Sequence, residues 1–137
     1  MPRAADVIVA IAVGSAAGGV ARYLLSDALT LRSSATFPVG TLVVNVAGCF
    51  AAGFLMRLVL ETGAFTPTTR ALLITGFCGG FTTFSTFAWE SVAALEEGAL
   101  RRTAVYTAAS IGCGFAAVWI GAAMAQMLLT ALRARAV

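Results

Sequence analysis

Four long apolar stretches constrain this chain more than any motif in it: roughly Val7–Leu25, Val39–Leu60, Ala71–Leu95 and Ala104–Leu132. A bilayer's hydrocarbon core is about 30 Å thick and takes about 20 helical residues to cross, and each stretch reaches about that length. Only 11% of the 137 residues are charged, against 60% apolar, with a mean hydropathy of +0.93. Water-soluble domains carry about a quarter charged residues. The pattern predicts an all-α membrane protein with four transmembrane helices in a single domain, residues 1–137, with no room for a soluble catalytic module. The first stretch follows Arg3 and contains Ser15-Ala16-Ala17, as a signal peptide does. Signal peptides usually have apolar regions of only about 7–15 residues, whereas this one runs past Gly19 to Leu25, so a mature helix is expected.

The chain has no histidine. That removes the commonest general base and metal ligand and argues against hydrolytic or metal chemistry. Cys49, Cys78 and Cys113 lie in different apolar stretches without CxxC spacing, so they read as buried small hydrophobes.

All nine basic residues are arginine. With four spans, Arg3, Arg57, Arg70, Arg133 and Arg135 lie towards one side and Arg22, Arg32, Arg101 and Arg102 towards the other, a five-to-four split. An excess of Lys and Arg fixes cytoplasmic orientation, so this balance specifies orientation poorly. Either the chain inserts both ways and pairs as an antiparallel dual-topology homodimer, or a partner fixes a weak bias. Four helices alone leave little interior for a hydrated path, so self-association is expected. Small residues four apart suit it: Gly14 with Gly18, Gly48 with Ala52, Gly76 with Gly80, Ala117 with Gly121. The connections read as a polar loop over Ser26–Pro38, a turn over Glu61–Arg70 with Gly63 and Pro67, and a charged link over Glu96–Thr103.

Polar residues inside a membrane cost free energy and invite a functional reading. The densest cluster is Gly76-Phe77-Cys78-Gly79-Gly80-Phe81-Thr82-Thr83-Phe84-Ser85-Thr86-Phe87. Glycine weakens a helix by about 1 kcal/mol relative to alanine. A helix broken here frees carbonyls that must meet protein, water or an ion; the alternative is a close helix crossing with the hydroxyls bonded back to their own backbone. The flanking pattern favours the break. Phe84 and Phe87 share a face, and Thr83, Thr86 and Glu90 share another. Thr41, Asn45 and Gly48 align in the second span, as do Thr103, Tyr106, Ser110 and Cys113 in the fourth. These stripes offer neutral donors, from Asn45, Ser85, Thr86, Tyr106 and Ser110, that can replace a small anion's hydration shell. They carry no central arginine, which suits permeation better than tight capture. Asn45 also suits interhelical bonding, and Tyr106 an interfacial position. Arg22 can snorkel to the interface or collect anions at a vestibule; Glu90 can cap hydrogen bonds, pair with arginine or take up a proton. Arg57 and Trp89 read as interface anchors.

Three segments, Gly18-Gly19-Val20-Ala21-Arg22-Tyr23, Gly40-Thr41-Leu42-Val43-Val44-Asn45-Val46-Ala47-Gly48 and the third-span run Gly76–Phe87, resemble signatures of the Fluc (CrcB) fluoride channels. The resemblance covers all four spans. It implies passive, fluoride-selective export across the cell inner (plasma) membrane, relieving fluoride toxicity. The implied assembly is an antiparallel homodimer with two pores and a third helix broken near the midplane, with fluoride, sodium, lipid and a second copy as partners and no nucleic acid. It implies a structural sodium ion on the backbone carbonyls of Gly79 and Thr82, and a fluoride pore of Asn45, Phe84, Phe87, Ser85, Thr86, Tyr106 and Ser110. Arg22 would stand at the vestibule and Glu90 beside the pore. The alternative is a small dual-topology, proton-coupled exporter of cationic compounds, with Glu90 as its titrating carboxylate. An integral-membrane enzyme lacks a credible catalytic set.

Overall fold

The structure, a computed structural model, describes residues 2–32 and 37–135. Within them the chain is all-helical. Helix α1 runs Ala4–Arg32, α2 Val39–Thr62 and α6 Leu100–Arg135. Between α2 and α6 come α3 (Pro67–Arg70), a π-helical segment (Ala71–Cys78), α4 (Gly79–Phe81) and α5 (Phe84–Glu96). Four helical stretches are long and apolar enough to cross a membrane: Ala4–Thr30, Val39–Thr62, Pro67–Glu96 and Leu100–Arg135.

The helices outrun the apolar stretches at most ends. Ser26–Pro38, expected as a loop, is helical as far as Arg32, while residues 33–36 lie outside the described residues. Thr30 Oγ1 donates to the Ser26 carbonyl at 2.8 Å, so this polar turn meets part of its hydrogen-bonding capacity within the helix. Ser26 and Thr30 also lean on Gly40, where an added Cβ would come 2.7 Å from Ser26 Oγ. At the opposite end α6, at 36 residues, is about 54 Å long at 1.5 Å per residue. It therefore projects or tilts beyond a core of about 30 Å.

Turn chemistry shortens the links. Gly63 ends α2 in the left-handed region at φ 59°, the conformation glycine adopts without a Cβ penalty. Thr66 then caps α3, accepting from Thr69 N–H at 3.1 Å, with Pro67 opening the helix. Gly98, at φ 74°, turns the chain from α5 into α6.

Two crossings dominate the packing. Helix α1 lies against the π-helical segment and α4, and α2 against α6. Both rest on glycine. A Cβ on Gly14 would strike the Leu72 carbonyl, and one on Gly18 the Phe77 carbonyl. Between α2 and α6, Gly53 abuts the Val118 carbonyl and Gly121 the Phe50 carbonyl. The small residues read from sequence as self-association surfaces are thus used in part within the chain. Gly14, Gly18, Gly76, Gly80 and Gly121 sit at backbone-to-backbone approaches that only a missing side chain permits. At one end, Arg57 donates to Gln126 at 2.9 Å, and Glu61 pairs with Arg57 at 3.5 Å and Arg133 at 3.7 Å. That ties α2 to α6 and places these residues at one end of the bundle. Large apolar side chains such as Val13, Trp89, Phe115 and Trp119 face outward.

Candidate functional site

Thr82 and Thr83 leave the helical region. Thr82 has φ −81°, ψ 157° and Thr83 φ −147°, ψ 109°, both extended, between α4 and α5. A continuous helix would carry Thr83 N–H to the Gly79 carbonyl and Thr86 N–H to the Thr82 carbonyl. Both amides turn elsewhere. Thr83 N–H donates to Asn45 Oδ1 at 2.7 Å, and Thr86 N–H donates to Thr83 Oγ1 at 3.2 Å. The Gly79 and Thr82 carbonyls therefore lose their helical donors.

Asn45 grips both sides of one residue, because its Nδ2 also donates to the Thr83 carbonyl at 3.0 Å. A primary amide is the side chain that can accept and donate along one edge. It also retains a second N–H, on Nδ2, beyond the one given to Thr83. The interhelical bonding read as an alternative for Asn45 is what this geometry displays. By accepting from Thr86 N–H, Thr83 Oγ1 makes Thr83 the N-cap of α5; it donates in turn to Thr86 Oγ1 at 2.9 Å and lies 3.3 Å from Ser85 Oγ. Upstream, Thr82 Oγ1 donates back to the Cys78 carbonyl at 3.0 Å. Gly48 makes room for this chain segment, since a Cβ there would collide with Thr82 Cγ2.

Arg22 approaches from α1, its Nε donating to the Gly80 carbonyl at 3.3 Å. It also lines a recess of about 240 Å³ together with Asp27, Thr41, Thr83 and Thr86. Arg22 stands well inside α1 (Ala4–Arg32) and not at its end, and its contact with the Gly80 carbonyl was not foreseen.

Beyond the interruption stands an aromatic series. Phe84 and Phe87 have ring centroids 5.7 Å apart, and Phe87 and Tyr106 5.2 Å. Tyr106 is only 2% exposed, so the interfacial-belt alternative does not describe it. Its hydroxyl donates to Glu90 Oε2 at 2.7 Å, while Thr41 Oγ1 donates to Glu90 Oε1 at 2.8 Å. Among the described residues no salt bridge engages Glu90. Of its three sequence readings, the structure displays the hydrogen-bonding one. Hydrogen bonds to a carboxylate contribute about 1.5–3 kcal/mol each.

Among the described residues, Ser110 Oγ is buried without a partner. Phe84 is 79% exposed and Ser85 and Gly79 are exposed too, so these groups lie on the surface of the single chain. Thr41 and Thr83 were legible as members of polar stripes, but their roles as donor to Glu90 and cap of α5 were not. Phe37, whose ring meets Tyr106 edge-on at 5.4 Å, was missed altogether because it sits in what reads as a loop.

A family model described as "CrcB-like protein, Camphor Resistance (CrcB)" matches residues 9–122, which include every residue of this site. The chain belongs to the CrcB family. Three curated relatives agree over nearly their full length. A protein of Solibacter usitatus named "Fluoride-specific ion channel FluC" is 48% identical over 116 residues, 85% of this chain and 95% of the relative. One of Roseiflexus sp., with the same name, is 43% identical over 121 residues, 88% and 98% of the two chains. One of Rhizobium etli, again so named, is 45% identical over 120 residues, 87% and 95%. These family members are named as ion channels, not enzymes. Together with four spanning-length helices, the match makes this chain a multi-pass membrane protein.

Proposed function

We propose that this chain conducts fluoride passively across the cell inner (plasma) membrane as a selective channel, relieving fluoride toxicity. The reading rests above all on the interruption at Thr82 and Thr83, held by Asn45 beside Phe84 and Phe87, in a chain whose relatives carry fluoride-channel names. The interruption lies midway along the 30-residue span Pro67–Glu96, which supports a third helix broken near the membrane midplane.

The conducting unit is an antiparallel dual-topology homodimer with two pores. Phe84, Ser85 and Gly79 are open in the single chain, so a path along them has one wall only. A second copy supplies the other. The near-even arginine split allows the two copies to insert in opposite senses.

Sodium fits the donor set at Gly79 and Thr82. Both carbonyls have lost their helical donors, and at Gly79 an added Cβ would find no atom nearer than the Ile74 carbonyl at 3.9 Å. Unwound carbonyls are the groups that coordinate Na⁺ in broken membrane helices. Two oxygens from one chain are too few for an alkali cation, so two copies would share it. The ion would supply fixed positive charge at the dimer centre.

In the pore, the spare N–H of Asn45 and the hydroxyls of Ser85, Thr86 and Ser110 replace hydration, while Tyr106, whose one hydroxyl proton goes to Glu90, lines the track with its ring. Ser110 Oγ, buried and unpartnered among the described residues, has a donor to give. The Phe84 and Phe87 rings present their electropositive edges to the anion. Arg22 concentrates anions in its recess. Glu90, held by Thr41 and Tyr106, stands beside the track. Neutral donors bind weakly enough for release, which conduction requires.

The test is efflux from reconstituted liposomes, with chloride as control. Electrogenic fluoride efflux without chloride efflux, needing no proton gradient, is expected; flux that depends on a proton gradient would favour the exporter reading. Phe84→Ile or Phe87→Ile should greatly slow fluoride while leaving the dimer intact, and unchanged flux removes the ring from the pathway.

A further inference from the structure

The segment before α2 carries an aromatic residue that the site described so far does not use. Pro38 has φ −78° and ψ 68°, and Val39 N–H donates to the Phe37 carbonyl at 2.8 Å. This is an inverse γ-turn, and the proline ring fixes its φ. Phe37 is therefore delivered in one direction by a stiff connection. Its ring meets Tyr106 at 5.4 Å with planes 80° apart, an edge-to-face contact. Tyr106 also meets Phe87, with ring centroids 5.2 Å apart. The phenol ring thus meets two aromatics, one from the third span and one from the entry to α2. Its hydroxyl reaches Glu90 at 2.7 Å. Phe37 also lines a cavity of about 270 Å³ whose walls include Glu90, Tyr106 and Arg102.

We propose that Phe37 is a positioning residue of the conduction path: it fixes the Tyr106 ring so that the hydroxyl stays on Glu90 in the wall of the cavity they share. The role rests on the channel reading above. Phe37 acts through Tyr106 and not on the ion. Leucine at this position would keep an apolar side chain in the gap but remove the flat edge that sets the tilt of the phenol. Tyrosine would keep the ring.

The experiment measures fluoride efflux from liposomes for wild type, F37L, F37Y, Y106F and the F37L/Y106F pair, with dimer integrity followed by gel filtration. F37L is expected to slow efflux about tenfold, a loss of the order of one oriented hydrogen bond to a carboxylate. F37Y should restore most of the rate. In the Y106F background the ring remains but the hydroxyl is gone, so F37L should there cost little more, as expected for two residues acting through one interaction. Wild-type efflux in F37L overturns the proposal. So does an undiminished F37L effect in the Y106F background, and so does an F37L that has lost its dimer, since each makes Phe37 a packing residue only. Wild-type protein that passes no fluoride overturns the channel reading itself, and this proposal with it.

Discussion

Asn45→Leu removes the two hydrogen bonds that hold the third span open while keeping a side chain of similar size. Thr83 N–H loses its acceptor at 2.7 Å and the Thr83 carbonyl its donor at 3.0 Å. Each partly buried backbone group left without a partner costs about 1–3 kcal/mol, so the open arrangement loses about 2–6 kcal/mol. The backbone has an escape: Thr83 N–H can return to the Gly79 carbonyl if residues 82 and 83 become helical. That route takes Gly79 out of the proposed sodium site and carries Phe84 to a new orientation. At 1.4 kcal/mol per tenfold, even the lower bound shifts the open population about 30-fold. The assay is fluoride efflux from potassium-loaded liposomes, with a potassium ionophore balancing charge. The variant should empty the vesicles at least about tenfold more slowly than wild type while eluting as the same dimer. A correctly assembled Asn45→Leu protein that empties them at the wild-type rate refutes the reasoning, because the interruption would then persist without its clamp.

Other consequences follow from single contacts. Thr83→Ala strips the cap from α5 and should lower stability by about 0.5–2 kcal/mol, read as a lower unfolding temperature in detergent, whereas Thr83→Ser should retain it. Gly18→Ala drives a Cβ into the Phe77 carbonyl, while at Gly19 an added Cβ meets nothing within 4 Å. The first should sharply reduce the yield of monodisperse protein and the second should leave the chain's own fold intact, as judged by fluorescence-detected gel filtration. Tyr106→Phe and Thr41→Val each remove one donor from the same carboxylate. Their effects on unfolding in detergent should be non-additive by about 0.5–3 kcal/mol, and strict additivity would mean that Glu90 does not couple them.

The sequence alone determined the solvent in which this chain folds. Four apolar stretches with few charges need helices and a bilayer, because backbone groups in hydrocarbon must be satisfied within their own segment. It also marked where a helix is weakest, since glycines followed by hydroxyl residues lower helix propensity over Gly79–Thr86 whatever surrounds it. Helix ends were less legible: nothing in Ser26–Arg32 shows that a polar segment continues a helix, because that depends on Gly40 lying beneath it. Which glycines serve contacts within the chain was likewise decided by the crossings, as a four-residue spacing is the same for an internal and an external neighbour. Only the tertiary structure joined Asn45 to Thr83, 38 residues away, and Thr41 to Glu90, 49 residues away. Periodicity assigns a residue to a face of its own helix. Which partner that face meets depends on how the helices cross, and that is set by where two backbones can approach most closely.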